Sequence, residues 1–269
     1  MDRDRAAVGR GAGRPDRGGG RVTGLAAGAA AAVGAVVGAG SGALAVWLER
    51  VERLEEEEGE ERAQYEAETA ALDVAARGVA PGWQGDRYGW TFLEWLLSPL
   101  AAAAGFAAFA AHESFGRGLV IHLLWVSVFV HILAFDIKHR LILNKVTYPA
   151  IAVALALGQV SPGLTFVYAL FGAAVVYLFF WIQSLLLGGE RLGMGDAKLG
   201  ALVGAVTGFG LDADHLGAVY AVVAAALSAG VVAVLLLVTR IRGLKDPIPY
   251  GPFLCAGAAL ILFTGPSAG

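Results

Sequence analysis

Charged residues are distributed very unevenly along this chain, and that distribution decides what it can fold into. Residues 91–269 contain nine basic and eight acidic side chains, whereas the 90 residues before them contain 11 basic and 15 acidic ones. A water-soluble domain needs more polar surface than this, since charged residues make up about 25% of a typical one. The remaining solvent is the lipid bilayer, so we predict an all-α, polytopic membrane protein.

Eight apolar segments are predicted to cross the membrane. In the first, Gly34, Gly38 and Gly42 recur at every fourth position, which places them on one helix face and favours close packing against another helix. Two of the other segments are short for a span of about 20 residues. The eight segments are approximately 24–48, 92–111, 118–135, 146–160, 164–187, 197–211, 216–239 and 252–265.

The chain divides into four parts by composition. Residues 1–23 form a basic, glycine-rich arm that we expect to be flexible, although a signal peptide in this region is an alternative. The first transmembrane helix covers residues 24–48. The glutamate-rich residues 49–91 are expected to form an acidic helical loop in the cytoplasm, continuing from that helix. Residues 92–265 form a seven-helix core in the membrane.

Basic residues indicate which loops face the cytoplasm. The connections around 136–145, 188–198 and 240–251 contain eight Lys and Arg residues, whereas the connections on the opposite side contain only Arg117. Cytoplasmic loops of membrane proteins carry the excess of basic residues, so we place these three connections in the cytoplasm. The arginine-rich arm contradicts this arrangement for the first span, whose orientation stays open.

Two acids of the apolar region have unusual surroundings. Asp136 follows eighteen residues without a formal charge, and Asp196 ends a glycine-rich sequence just before another apolar helix. A single acid at a helix end can simply reach towards water. Two carboxyls that meet in a pocket of low dielectric instead share a proton, and they can then activate water and protonate a leaving amine. Spacing alone leaves both interpretations open.

The sequence around these aspartates resembles the type IV prepilin peptidases, which are GxGD-type membrane aspartyl proteases. The run Gly188-Gly189-Glu190-Arg191-Leu192-Gly193-Met194-Gly195-Asp196-Ala197-Lys198-Leu199 is similar to the family's glycine-rich loop and second aspartate. Asp136 and the residues up to Asn144 are similar to its first aspartate, basic loop and turn. A third stretch, Ile248-Pro249-Tyr250-Gly251-Pro252-Phe253, resembles the segment before the family's last helix.

The resemblance implies roles for individual residues. Asp136 and Asp196 would be the catalytic pair, and Gly193 and Gly195 would let the backbone of the substrate approach. Lys198 matches a common family residue and would belong to the same substrate-binding region, although a lysine reaching to the membrane surface is an equal alternative.

Two departures from the family pattern bear on function. Leu143 replaces the proline that usually precedes the Asn or Asp of the first motif, which predicts a looser turn. The bifunctional members carry two CxxC pairs after the first span, whereas this chain has the single cysteine Cys255. We therefore expect no zinc site there, no other metal or cofactor, and no N-methyltransferase activity.

The resulting hypothesis is an aspartic endopeptidase of the bacterial inner membrane, with its active site on the cytoplasmic side. Its partners would be the lipid bilayer and a prepilin-like substrate protein, with no nucleic acid, and its oligomeric state is open. Three alternatives remain: an ion- or proton-coupled transporter that uses the same two acids, a silent assembly protein that binds pilin-like helices, and a GxGD protease of presenilin type. Against the transporter, both acids lie near an interface rather than at mid-membrane.

Overall fold

The computed structural model describes residues 19–69, 96–139, 141–186, 194–211, 215–239 and 249–265, with the side chains of the first helix described from residue 24 to residue 52. Eight helices and no strand occur within these ranges, which confirms the all-α prediction. The helices are α1 (Gly19–Thr69), α2 (Ser98–His112), α3 (Arg117–His139), α4 (Asn144–Leu157), α5 (Phe166–Leu186), α6 (Met194–Thr207), α7 (Gly217–Val238) and α8 (Gly251–Thr264).

Four helices in the described part of the chain are long and apolar enough to cross a bilayer. These segments are Gly24–Glu52, Arg117–His139, Phe166–Leu186 and Gly217–Val238. The other helices have 14 or 15 residues, and at 1.5 Å per residue they reach about 21–23 Å across a hydrocarbon core of roughly 30 Å. The chain is therefore a polytopic membrane protein, whereas the count of eight spans stays a prediction.

Apolar side chains on the outside of the bundle match a lipid environment. On α7, Leu227 is 67% exposed and Val231 is 60% exposed. Only 11% of the most apolar 18-residue stretch of this helix is buried inside the protein. Soluble monomers rarely expose contiguous apolar patches of this kind. Lipid tails would cover this surface in the bilayer.

The glycine face of α1 packs closely against α2, as the occurrence of glycine at every fourth position predicts. A Cβ atom on Gly34 would lie 2.6 Å from the carbonyl oxygen of Ala102 and 2.8 Å from the Phe106 side chain. One on Gly38 would overlap the backbone of Ser98. Small residues are common at such interfaces because attraction between membrane helices depends on close van der Waals contact.

Helix α6 forms the centre of the core. Leu199, Leu202 and Val203 are completely buried, and α6 contacts α4, α5, α7 and α8. Glycine makes this central position possible, since a side chain on Gly204 would overlap the backbone of Gly172 on α5. The first turn of this central helix carries Asp196.

The acidic segment after the first span begins as a continuation of α1, which is helical up to Thr69. Its remainder and most of the predicted N-terminal arm lie outside the described residues. The same holds for Gly193, one of the predicted substrate-binding residues.

Candidate active site

Asp136 lies in the last turn of α3, which packs against α8. Its side chain is buried, with only 4% of the residue exposed. A Cβ atom on Gly251, the first residue of α8, would overlap Asp136 Oδ2 and lie 3.3 Å from Leu199 Cδ2 of α6. The absence of a side chain on Gly251 therefore creates the space that the Asp136 carboxyl occupies.

Asp196 lies in the first turn of α6, three residues before the Leu199 side chain that also approaches Gly251. The pKa of the Tyr250 phenol is raised, mainly by burial and also by the negative charge of Asp196. Tyr250 directly precedes Gly251, so both aspartates are close to the start of α8 along the chain or in space: Asp136 lies against Gly251, and Asp196 is three residues before Leu199, whose Cδ2 would lie 3.3 Å from a Cβ on Gly251. We call this end of the bundle, defined by Asp136, Asp196, Tyr250 and Gly251, the aspartate end. With its raised pKa, Tyr250 keeps its proton at neutral pH and can donate a hydrogen bond.

Lys198 connects the two sequence motifs to each other. Its Nζ donates a hydrogen bond to Oδ1 of Asn144 over 2.8 Å, and the same ammonium lies 5.4 Å from the centre of the Tyr148 ring. Asn144 begins α4, and Lys198 lies near the start of α6, so the α3–α4 connection and the start of α6 lie side by side. Lys198 thus has a defined contact within the protein at the aspartate end.

Gly195 lies against the connection between α3 and α4. A Cβ atom at this position would be 3.2 Å from Cβ of Ile142, which is closer than most real Cβ contacts. The missing side chain therefore lets the first turn of α6 approach residues 141–143. A side chain at position 195 would therefore require Ile142 to shift by a few tenths of an ångström, and glycine keeps the two motifs in close contact.

Leu143 forms a turn that a proline would also form. Its φ angle is −68°, which is the value to which the proline ring fixes the backbone. Its side chain is 5% exposed and belongs to a cluster with Ala45 and Leu48 of α1 and Phe135 of α3. Leucine therefore keeps the backbone geometry and adds an apolar anchor between helices.

A buried ionic cluster that the sequence pattern does not predict lies beside Asp136. Glu49 of α1 accepts hydrogen bonds from Lys138 and His139, which follow Asp136 on α3. In the sequence, Glu49 is the first residue of the glutamate-rich segment 49–91, and no local motif distinguishes it from the other acids there. Its position at the end of an apolar span, where an acid must find a partner if it is buried, was the available signal.

The opposite end of the bundle carries a separate polar group. Nδ1 of His122 lies 2.6 Å from Oε1 of Glu113, and both side chains are buried. A cavity of about 240 Å³ lies there, lined in part by His122, Tyr168 and His215. Within the described residues, no cluster of three or more His, Cys, Asp or Glu side chains could hold a metal ion. Glu113 thus lies at the other end of α3 from Asp136.

Fold and site together define a class: a helical membrane protein with two carboxyls at one end of its bundle. The family model described as the type IV leader peptidase family matches residues 123–238, which include both aspartates. Leader peptidase HopD of Escherichia coli is 30% identical over 143 residues, which are 52% of this chain and 89% of that protein. The chain belongs to the type IV leader peptidase family.

Longer relatives match over a smaller share of their length. A prepilin leader peptidase/N-methyltransferase of Burkholderia pseudomallei is 34% identical over 136 residues, covering 49% of this chain and 42% of that protein. One of Pseudomonas aeruginosa is 26% identical over 169 residues, covering 61% of this chain and 56% of that protein. The chain thus spans about half the length of these relatives. No solved structure gives a significant match.

Proposed function

We propose that this protein is an aspartic endopeptidase that removes the basic leader from type IV prepilin-like precursors at the cytoplasmic face of the bacterial inner membrane. The observation that carries the proposal is that the start of α6, which bears Asp196, packs through Gly195 and Lys198 against the connection that follows Asp136 and α3, while Asp136 itself lies against Gly251. Membership of the leader peptidase family supports the reaction class.

Two carboxyls at one site provide both halves of acid–base catalysis. One of them, ionised, removes a proton from a water molecule that attacks the scissile carbonyl carbon. The other, protonated, donates its proton to the carbonyl oxygen. As the tetrahedral intermediate collapses, the C–N bond breaks, and the carboxyl that took a proton from water gives it to the leaving amine. A hydroxyl of the intermediate returns a proton to the other carboxylate, so the pair again shares one proton. No metal is needed for this sequence of proton transfers.

The substrate would lie along the surface of the bundle, with its apolar helix in the bilayer and its leader in the cytoplasm. Its cleavage site would lie beside Gly193, Gly195 and Asp196, with Lys198 at the margin of the same region. The extension of α1 carries the run Glu55–Glu58, which would attract the Lys and Arg residues of the leader. That attraction acts over roughly 8 Å at physiological salt, so it steers the leader rather than aligning it.

Separate substitutions of the two aspartates test this proposal. We expect Asp136→Asn and Asp196→Asn each to lower the cleavage rate of a prepilin-like substrate by at least about 10²–10⁴-fold, the usual contribution of a positioned acid or base. The substrate's new N-terminus is measured by mass spectrometry, with equal amounts of inserted protein in every sample. Normal processing by either variant would exclude the assigned pair.

The same spectra decide whether a methyl group is added. We expect cleavage without methylation, because the sequence contains one cysteine and therefore lacks the CxxC pairs associated with the bifunctional members. An N-terminus heavier by one methyl group, formed only in the presence of this protein and a methyl donor, would contradict that expectation.

A further inference from the structure

A charged cluster inside the protein joins α1 to the end of α3. Oε1 of Glu49 accepts hydrogen bonds from Lys138 Nζ over 2.6 Å and from His139 Nε2 over 2.7 Å. The three side chains are almost completely buried, at 2–3% exposure. A carboxylate has no proton to donate, so His139 Nε2 carries the hydrogen of its bond. This group is the Glu49 cluster.

Helix geometry places the Glu49 cluster and Asp136 on neighbouring flanks of the same turn. Successive residues are rotated by about 100°, so residues 135, 138 and 139 share one flank while residue 136 points roughly 100° away from residue 135. The first flank faces α1: Phe135 packs with Ala45 and Leu48, and its ring lies 4.6 Å from that of His139. The second flank faces Gly251 of α8.

The energetics of burial show why this cluster calls for an explanation. Removing charges from water is costly, and a well-packed apolar pair often stabilises two helices equally well. Apolar contacts alone, however, leave some freedom of rotation and sliding between helices. Two short hydrogen bonds to one carboxylate oxygen fix both the rotation and the depth of the last turn of α3.

We propose that Glu49 is a positioning residue for Asp136: it holds the last turn of α3 against α1 so that the Asp136 carboxyl stays in the space beside Gly251. This inference rests on the proposed function, in which Asp136 takes part in peptide cleavage. Glu49 itself does not contact the substrate. The first helix therefore contributes to catalysis through the orientation of α3.

Kinetics of four variants test the proposal. We expect Glu49→Gln to lower kcat by about 10- to 100-fold, the effect of a displacement of about 1 Å at a catalytic group, with little change in KM. Lys138→Met should also lower kcat, because it leaves Glu49 without its lysine partner. The double variant Glu49→Gln/Lys138→Met removes both charges and should recover part of the lost kcat.

Glu52→Gln is the matched control. Glu52 lies one turn further along α1 and pairs with Lys145 of α4 over 3.3 Å, but these side chains are 26% and 39% exposed. An exposed pair contributes little, so this variant should keep the wild-type kcat. Wild-type kcat in Glu49→Gln, an effect on KM alone, or a double variant slower than both single variants would overturn the proposal.

A spin label at residue 137 tests the positioning role of Glu49 independently of activity. Ile137 is 38% exposed, and Cys255→Ala removes the one native cysteine, so a label at Ile137→Cys is unique. Its spectrum should show restricted motion in the wild type and in Glu52→Gln, and clearly greater motion in Glu49→Gln. An unchanged spectrum in Glu49→Gln would contradict the positioning role of Glu49. If the wild type cleaves no prepilin-like substrate, the proposed function fails and this spectrum alone decides about Glu49.

Discussion

Asp136 and Asp196 have the same side chain but different surroundings. Asp136 is buried in the last turn of α3, whereas Asp196 is partly exposed in the first turn of α6. A helix N-terminus stabilises a nearby negative charge by about 0.3–1 kcal/mol. General acid and general base need unequal environments, since one must hold a proton while the other is ionised. If the proposed pair is catalytic, the two helix ends would supply that inequality.

Gly251 offers a test of the site at the scale of one atom. We expect Gly251→Ala to lower the cleavage rate by about 10- to 100-fold, because its Cβ would overlap Asp136 Oδ2 and force the carboxyl to move. The measurement is kcat for a prepilin-like peptide, together with the yield of folded protein.

Gly40→Ala is the control for that substitution. A Cβ at Gly40 on α1 would meet nothing within 4 Å, so its cleavage rate should equal that of the wild type. A fully active Gly251→Ala variant would show that the close contact between Gly251 and Asp136 is not needed for catalysis.

At the scale of helices, the position of α6 depends on its contact with α5. Gly172 and Gly204 face each other so closely that a Cβ on either would overlap the backbone of the other. Because backbone cannot move aside as a side chain can, α5 and α6 would have to separate. The helix that carries Asp196 would then be displaced from the core.

We therefore expect Gly204→Ala to reduce the free energy of unfolding by about 1–3 kcal/mol, the usual cost of overpacking. Thermal or denaturant unfolding in detergent measures it. Gly230→Ala on α7, where a Cβ meets nothing within 4 Å, should be neutral or slightly stabilising, because alanine favours the helix. Equal stability of both variants would contradict the predicted contact.

The sequence predicted which segments are helices, since hydrophobic runs separated by charged or glycine-rich connections carry that information directly. It also predicted the close packing of Gly34 and Gly38. It did not predict the ionic cluster at Glu49, because the partners Lys138 and His139 are about ninety positions away and no local pattern joins them. The sequence motif predicts that Gly195 lets the substrate approach, but it carries no signal for the packing of Gly195 against Ile142, because the two residues are 53 positions apart.

At the scale of the whole molecule, the fold collects the residues of two distant motifs at one end. Asp136 of the first motif lies against Gly251, and Lys198 of the second motif donates a hydrogen bond to Asn144 of the first. Glu113 and His122 lie at the other end of the bundle. This polarity matches the uneven distribution of basic residues between the loops, from which we expect the aspartate end to face the cytoplasm.

Labelling from each side of the membrane tests that orientation. Leu141 is 42% exposed near the aspartate end, and Phe115 is 94% exposed near the other. In a Cys255→Ala background, a membrane-impermeant maleimide should label Leu141→Cys only in inverted vesicles and Phe115→Cys only in intact spheroplasts. The reverse pattern would place the aspartates outside the cytoplasm.

The central claim is that Asp136 and Asp196 act as one catalytic unit, and the double substitution tests it most directly. Residues that act as a unit show strongly non-additive losses. Cleavage rates of Asp136→Asn, Asp196→Asn and the double variant should therefore all fall to a similar residual level, with the double variant no slower than the slower single one. Independent, multiplying losses, or one single variant at the wild-type rate, would contradict the account.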